Sequence, residues 1–131
     1  MRSLRKKAGN SSGSLRTLIL ALMFVAALTL LAASAVHAGL LGQIDPFPGA
    51  APPEALLGIV LATAAVAAFL SWARAWAFAM AATLLALLGT VYGLAVTLPR
   101  GEAGDVVYHA SLLAGLIVAA GLLIRRRGLV D

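Results

Sequence analysis

The sequence has no cysteine and little charge: Asp, Glu, Lys and Arg make up only 11% of its 131 residues. The lack of cysteine excludes disulfides, thiolate metal sites and thiol redox chemistry, as well as a lipid anchor on cysteine. A soluble domain usually has about 25% charged and about 45–50% apolar residues. Here 62% of the residues are hydrophobic. The composition therefore excludes an ordinary soluble domain and leaves room for one membrane domain.

Four long apolar runs contain no Asp, Glu, Lys or Arg at all. Each is of the length, about 18 residues or more, that crosses a bilayer as a helix. They predict an all-α integral membrane protein built as a four-helix up-down bundle. The predicted spans are 17–41, 55–73, 75–98 and 106–124. Of the flanking segments, 1–16 is predicted to be a basic flexible cytoplasmic tail, and 125–131 a second basic tail.

The absence of charge inside the predicted spans argues against an ion-coupled or proton-coupled carrier, which usually keeps an ionisable group in the membrane. Small four-helix multidrug exporters are similar in length, but that family relies on a membrane-embedded Glu in its first span, and 17–41 has none. Mid-span hydroxyls such as Thr63, Thr83 and Thr90 are expected to bond back to their own helix. No catalytic or nucleotide-binding motif appears, so we expect no enzymatic activity.

Proline is concentrated in the segment GQIDPFPGAAPPE, which holds four of the five prolines. Because proline removes a backbone donor and fixes φ, this segment is predicted to be a non-helical connection. Pro52 and Pro53 are expected to lead into the second span, with Glu54 in its first turn, where a carboxylate favours the positive end of the helix. Asp105 is expected to be the N-cap of the fourth span.

The second connection is the short segment SWARAW, in which Trp72 and Trp76 flank Arg74. Tryptophan prefers the membrane–water interface because its ring is apolar and its N–H forms a hydrogen bond with water. The segment therefore predicts an interfacial hairpin anchored by these three side chains.

The basic residues predict the orientation, because Lys and Arg cluster at the cytoplasmic ends of membrane helices. With the N-terminus inside, nine of the ten basic residues lie on the inner side and only Arg100 on the outer side. The outer connections carry four acidic residues: Asp45, Glu54, Glu102 and Asp105. We therefore expect a multi-pass protein of the cell membrane, the inner membrane of a bacterium, with both termini cytoplasmic. Its partner is the lipid bilayer; nucleic acid is not expected, because neither tail has a folded recognition element.

A cleavable secretory signal is the alternative interpretation of the first span. A basic start, an apolar run and the tripeptide VHA before Gly39 resemble such a signal. The apolar run is longer than the usual signal core of about 7–15 residues, which favours an uncleaved span. Cleavage would remove His37.

The two histidines, His37 and His109, occur in the similar pentapeptides HAGLL and HASLL. One ends the first span and the other begins the fourth, so both are expected near the outer face on helices that can be neighbours. We expect them to face one outer cavity that holds no permanent cofactor. One interpretation is a shared site for a haem, a metal ion or a quinone, with help from Glu54 or Asp105. The other is that both histidines only pack at the interface, since two ligands are too few for a structural zinc site.

Small residues four positions apart allow helix backbones to approach closely in lipid. Gly89 and Gly93 have this spacing in the third span, and Ser111 and Gly115 have it in the fourth. Packing within one chain is favoured over a dimer interface.

Three functions follow from these patterns, in order of preference. The first is a non-enzymatic accessory or structural subunit that packs with itself or with a larger membrane protein. The second is a membrane binding module that holds a haem, a metal ion or a quinone near His37 and His109. The third is a small carrier of uncharged or lipophilic molecules.

Overall fold

The computed structural model describes residues 2–42 and 47–127. This part of the chain forms four α-helices and one short 3-10 turn, Leu98–Arg100. The helices are α1 (Arg2–His37), α2 (Ala51–Phe69), α3 (Ala75–Thr97) and α4 (Ala103–Arg127). Each contains a stretch long and apolar enough to cross a membrane. The predicted all-helical class and the four candidate spans are thereby confirmed, while insertion and orientation stay predictions.

The helices form a closed ring, because each contacts the next along the chain and α1 also contacts α4. The centre is filled mainly by alanine and leucine, with Ile19, Met23, Leu61 and Leu116 fully buried. Large apolar side chains also cover the outside of the bundle. Helices in lipid are held together by close packing of small residues, and an apolar outer surface suits such a setting.

The threonine hydroxyls inside the helices are satisfied locally. Thr63, Thr83 and Thr90 each donate to the carbonyl four residues earlier, at 2.8 Å. These bonds confirm the expectation from the sequence and leave the three hydroxyls without a further role.

α2 and α4 each begin a few residues before their apolar runs, and this corrects the expectation that the spans lack acidic residues. α2 begins at Ala51, because proline in the first helical turn loses no hydrogen bond there. Glu54 therefore lies inside the candidate span Ala51–Phe69. α4 begins at Ala103, so Asp105 lies in its first turn and the expectation that it is the N-cap is wrong.

α1 differs from its expected bounds at both ends. Residues 2–16, which composition assigns to a flexible tail, continue the helix, since extension adds a hydrogen bond per residue to a helix already formed. The helix ends at His37, before the end of the apolar run. There Leu40 N–H donates to Ala35 O at 3.0 Å, and Gly39, at φ 73°, donates to Val36 O at 2.9 Å. This pair of bonds with a left-handed glycine is a Schellman motif.

The two ends of the bundle carry opposite charge, and we name them accordingly. The acidic end is the end with Glu54, Glu102 and Asp105. The basic end is the opposite one, and its described arginines are Arg16, Arg74, Arg125 and Arg126.

Candidate functional site

A cavity of about 190 Å³ lies inside the bundle toward the acidic end. Its walls are mostly apolar and come from all four helices, with Leu30, Leu57, Val96 and Leu112 among the lining residues. A cavity of about 150 Å³ in another protein binds benzene. This cavity therefore has room for one ring with a small substituent.

Ionisable side chains form the polar part of the lining. His37, Glu54 and His109 are buried, with only 4%, 7% and 6% of their surface exposed, and Asp105 is half-buried. A buried ionisable group is costly unless it is paired or hydrogen-bonded. The partners of these four side chains therefore decide what the cavity can do.

His37 lies between two carboxylates that come from different helices. Its Nδ1–H donates to Oε2 of Glu54 at 2.7 Å, because a carboxylate only accepts hydrogen bonds. Its Nε2 lies 3.9 Å from Oδ2 of Asp105. The end of α1 is held against the start of α2 by a second bond, in which Ser34 Oγ donates to Ala51 O at 2.7 Å. The pair is thus positioned by the ends of both helices.

His109 is held by its own helix and by the backbone of α3. Its Nδ1–H donates to the carbonyl of Asp105 at 2.8 Å, so Nε2 carries no proton in the neutral ring. The ring lies against Gly93: a Cβ at that position would overlap Nε2 and Cδ2 of His109. Glycine is needed there because any side chain would displace the imidazole. Tyr108 packs edge-on against the same ring, with centroids 4.8 Å apart.

Two carboxylate oxygens at this site lack hydrogen bonds within the described part of the chain. These are Oε1 of Glu54 and Oδ2 of Asp105, both buried. The hydroxyl of Tyr108 is buried without a partner as well. An unsatisfied buried polar group costs about 1–3 kcal/mol, so each such atom in a native protein calls for an explanation. A bound molecule that donates hydrogen bonds would satisfy the two carboxylates.

Phe47 covers His37 and joins the two connections at the acidic end. Its ring lines the cavity and meets the His37 ring edge-on, with centroids 6.3 Å apart. The guanidinium of Arg100 lies 4.2 Å from the Phe47 centroid and is paired with Oε1 of Glu102 at 2.7 Å. The first and third connections therefore meet beside the site.

The histidines and acidic residues singled out from the sequence come together, since His37 and His109 line one cavity with Glu54 and Asp105. Asp45 lies outside the described residues. Within residues 13–42 and 47–126, whose side chains the structure describes, no three His, Cys, Asp or Glu side chains are arranged to hold a metal ion.

The small residues singled out for packing have different surroundings. Gly93 faces His109, and a Cβ at Gly89 would overlap Leu57, so both allow close contacts within the chain. Gly115 has no such neighbour within 4 Å, and it lines a separate groove with Ser111.

The predicted interface anchors lie at the basic end. Trp72 and Arg74 are exposed in the turn between α2 and α3, where Arg74 has a left-handed φ of 59°. Trp76 is half-buried, and the guanidinium of Arg126 lies 3.3 Å from its ring centroid. These side chains have no part in the cavity.

Sequence reasoning missed Phe47 and Ser34 as parts of the site, as well as the contact of Gly93 with His109. The spacing of Gly89 and Gly93 was a signal for close packing, but it did not indicate which side chain approaches each glycine.

No protein family, curated protein or solved structure matches this chain. Its function is therefore inferred from the geometry of the cavity and its lining.

Proposed function

We propose that this protein is a membrane binding module that holds a small amphipathic molecule in the cavity at the acidic end. The observation that supports this most is the buried Glu54, which lines the cavity and whose Oε1 has no hydrogen-bond partner among the described residues. A molecule with a donating polar group and an apolar body would fill both the polar and the apolar parts of the lining. No reaction is part of this proposal.

The polar lining favours binding over a purely structural role. A subunit that only packs gains nothing from burying His37, Glu54 and His109, because apolar side chains of similar volume are often neutral or more stabilising at such positions. Ionisable groups inside a membrane protein are expensive and generally mark a functional site. An accessory subunit without a ligand accounts for the exposed apolar surface but not for these three side chains.

A single-ring organic molecule fits better than a haem or a metal ion. The cavity of about 190 Å³ accommodates one ring, whereas a haem has four pyrrole rings around its iron. The atom of His109 that would ligate iron, Nε2, lies against the backbone of α3 at Gly93. For a metal ion, the described part of the chain offers no set of three ligands. A single quinone ring has a suitable size, and its fit depends on hydrogen bonding.

The proposed location is the cell membrane, with both termini cytoplasmic and the acidic end outside. The basis is the nine-to-one split of basic residues, which follows the rule for cytoplasmic ends. The ligand would then enter from the outer leaflet or the outer solution. Reporter fusions after Arg16 and after Arg127 should read cytoplasmic, and one within 49–53 should read external. An external reporter after Arg127 would contradict this arrangement.

Binding can be tested in phosphatidylcholine nanodiscs by ¹⁹F NMR with three ring probes of similar size: 4-fluorobenzylamine, 4-fluorobenzyl alcohol and 4-fluorobenzoate. We expect saturable binding of at least one probe above the signal of empty nanodiscs. Gly93→Leu should abolish it, because the new side chain overlaps His109 and enters the cavity. Gly115→Leu is the matched control, since Gly115 has open space around it and lies outside the cavity lining. No saturable binding of any probe, or equal binding by both variants, would contradict the proposal.

A further inference from the structure

We infer that the ligand is a protonated primary amine, whose ammonium group binds beside His37 at the carboxylates of Glu54 and Asp105 and whose apolar body fills the cavity. This inference rests on the proposed function and names the chemical class of the ligand. Three properties of the site support it: its charge, its unsatisfied acceptors and the size of its apolar part.

The cavity carries surplus negative charge. Two carboxylates, of Glu54 and Asp105, line it, and among the described residues no Lys or Arg does. With His109 neutral, one negative charge remains even when His37 is an imidazolium paired with Glu54. Arg100, on the neighbouring connection, is occupied by Glu102 and by the Phe47 ring. A buried charge is tolerated only when it is paired, so the site favours a ligand with a single positive charge.

The unsatisfied atoms require hydrogen-bond donors. Oε1 of Glu54 and Oδ2 of Asp105 are acceptors without partners in the described structure. An ammonium group provides three N–H donors and no acceptor. The terminal torsion angle of a glutamate has a broad distribution, so Oε1 of Glu54 can rotate toward a ligand at a small cost in free energy. A quinone has only carbonyl acceptors, and a carboxylic acid would be repelled, so neither satisfies these two oxygens while both carboxyl groups are ionised.

A bare metal ion fits the site less well than an ammonium group does. Metal ions need several ligands at about 2.0–2.6 Å, and the described side chains offer no such set. Hydrogen bonds from N–H to a carboxylate are longer, about 2.7–2.9 Å. The carboxylates of Glu54 and Asp105 lie on opposite edges of the His37 ring, at 2.7 Å and 3.9 Å from its nitrogens.

The apolar part of the cavity limits the body of the ligand. Leu30, Leu57 and Leu112 line it, and Phe47 closes one side. Its volume of about 190 Å³ holds one ring and a short link to the ammonium. A polyamine or a large lipid headgroup would leave polar atoms against these leucines, which is unfavourable. We therefore assign the site to monoamines with a single ring or a short alkyl chain.

The same three fluorinated probes test this inference at neutral pH in phosphatidylcholine nanodiscs. Zwitterionic lipid is used so that the membrane itself does not concentrate the amine. We expect 4-fluorobenzylamine to bind about tenfold or more tightly than 4-fluorobenzyl alcohol, because a hydrogen bond between charged partners is stronger than a neutral one. We expect 4-fluorobenzoate not to bind.

Two isosteric variants localise the effect. Glu54→Gln and Asp105→Asn should each lower the affinity for the amine about tenfold and that for the alcohol much less, because only the amine loses a hydrogen bond between charged partners. The double variant Arg100→Gln with Glu102→Gln is the matched control: it also removes a carboxylate at the acidic end, but it removes the paired guanidinium with it, and neither residue lines the cavity. Circular dichroism and size-exclusion profiles establish that each variant folds, and two separate variants keep the test valid if one does not.

The outcomes separate the two proposals. If the wild type binds amine and alcohol equally, with loss in Gly93→Leu, the cavity binds ligands but the amine inference is wrong. If the double control variant lowers amine affinity as much as Glu54→Gln does, the preference does not depend on the carboxylates of the cavity and the inference is also wrong. If no probe binds saturably, both proposals fail.

Discussion

The ionisable side chains at the acidic and basic ends of the bundle differ in their burial and in their hydrogen bonding. At the basic end, the guanidinium of Arg16 donates to Phe69 O at 2.7 Å, to Ser71 Oγ at 3.0 Å and to Ala68 O at 3.3 Å. At the acidic end, Glu54 is buried around a cavity with one oxygen unpaired. At the basic end, a charged side chain thus forms hydrogen bonds with the carbonyls of a helix terminus. At the acidic end, a carboxyl group is buried inside the bundle and retains an acceptor without a hydrogen bond in the described structure.

This difference separates a structural use of charge from a binding use. The three acceptors of Arg16 belong to the end of α2 and the turn after it, so this arginine satisfies carbonyls that a helix terminus leaves free. Nothing in that arrangement requires a further molecule. In our proposal, the histidine–carboxylate group is complete only when a donor reaches Glu54 and Asp105. Changes at the two ends should therefore differ in size and in their dependence on a ligand.

The largest expected effect is that of His37→Ala, which removes the partner of a buried carboxylate. Breaking a buried ion pair from one side costs about 3–5 kcal/mol, because the remaining group is left unpaired. The double variant His37→Leu with Glu54→Leu should be clearly more stable than His37→Ala, since it removes both polar groups. Chemical denaturation in detergent micelles gives both values. A His37→Ala variant as stable as the wild type would show that the pair contributes nothing.

The next effect is that of Gly93→Ala, which places a methyl group where the His109 ring lies. We expect a loss of about 1–3 kcal/mol from overpacking. Gly115→Ala, the same change in open space, should be neutral or stabilising by up to about 1 kcal/mol, because alanine favours a helix over glycine. Thermal unfolding of the two variants side by side checks this. Equal effects would mean that α3 and α4 do not meet as closely as the structure shows.

A smaller effect is expected for Arg16→Gln at the basic end. It removes the donor that reaches the end of α2, and the expected loss is about 1 kcal/mol, because a partly exposed hydrogen bond contributes about that much. Arg125→Gln serves as the control, since Arg125 is exposed and lies at the same end. Amide hydrogen exchange at Phe69 and Leu70 should accelerate in the first variant only. Equal acceleration in both would show that the contact of Arg16 is not specific.

The smallest effect is expected for Trp76→Leu. This change removes the ring beneath the Arg126 guanidinium, a cation–π contact of about 0.5–1 kcal/mol at an exposed site. Trp72→Leu removes an exposed tryptophan in the adjacent turn and is the matched control. A double-mutant cycle with Arg126→Gln isolates the contact. A coupling energy of zero would leave Trp76 with an interfacial role alone.

The architecture is readable from the sequence, because four uncharged runs of membrane length allow few other folds. The meeting of His37 with His109 at one end also follows from antiparallel helices. The partner of each histidine does not follow. Nearly every face of these helices is apolar, so the sequence has no polar face that would indicate the rotation of each helix about its axis. The contact of Gly93 with His109 is therefore set by side-chain packing.

The exact ends of the helices are the second feature that the sequence does not predict. The apolar run continues past His37 to Leu41, yet α1 ends at His37, because the Schellman motif with Gly39 stops it. The sequence predicts Glu54 in the first turn of α2, and the structure confirms this, but the helix begins at Ala51 and this turn therefore belongs to the candidate span. Small shifts of this kind decide whether an ionisable side chain is at the surface or in the cavity.

The most direct test of the account is a crystal structure of the wild-type protein with 4-bromobenzylamine, in which anomalous scattering locates the bromine. We predict one bromine peak in the cavity between Leu30, Leu57 and Leu112, with the amine nitrogen within hydrogen-bonding distance of Glu54 and Asp105. A peak at the basic end or in the groove lined by Ser111 and Gly115, with the cavity empty, would contradict the account.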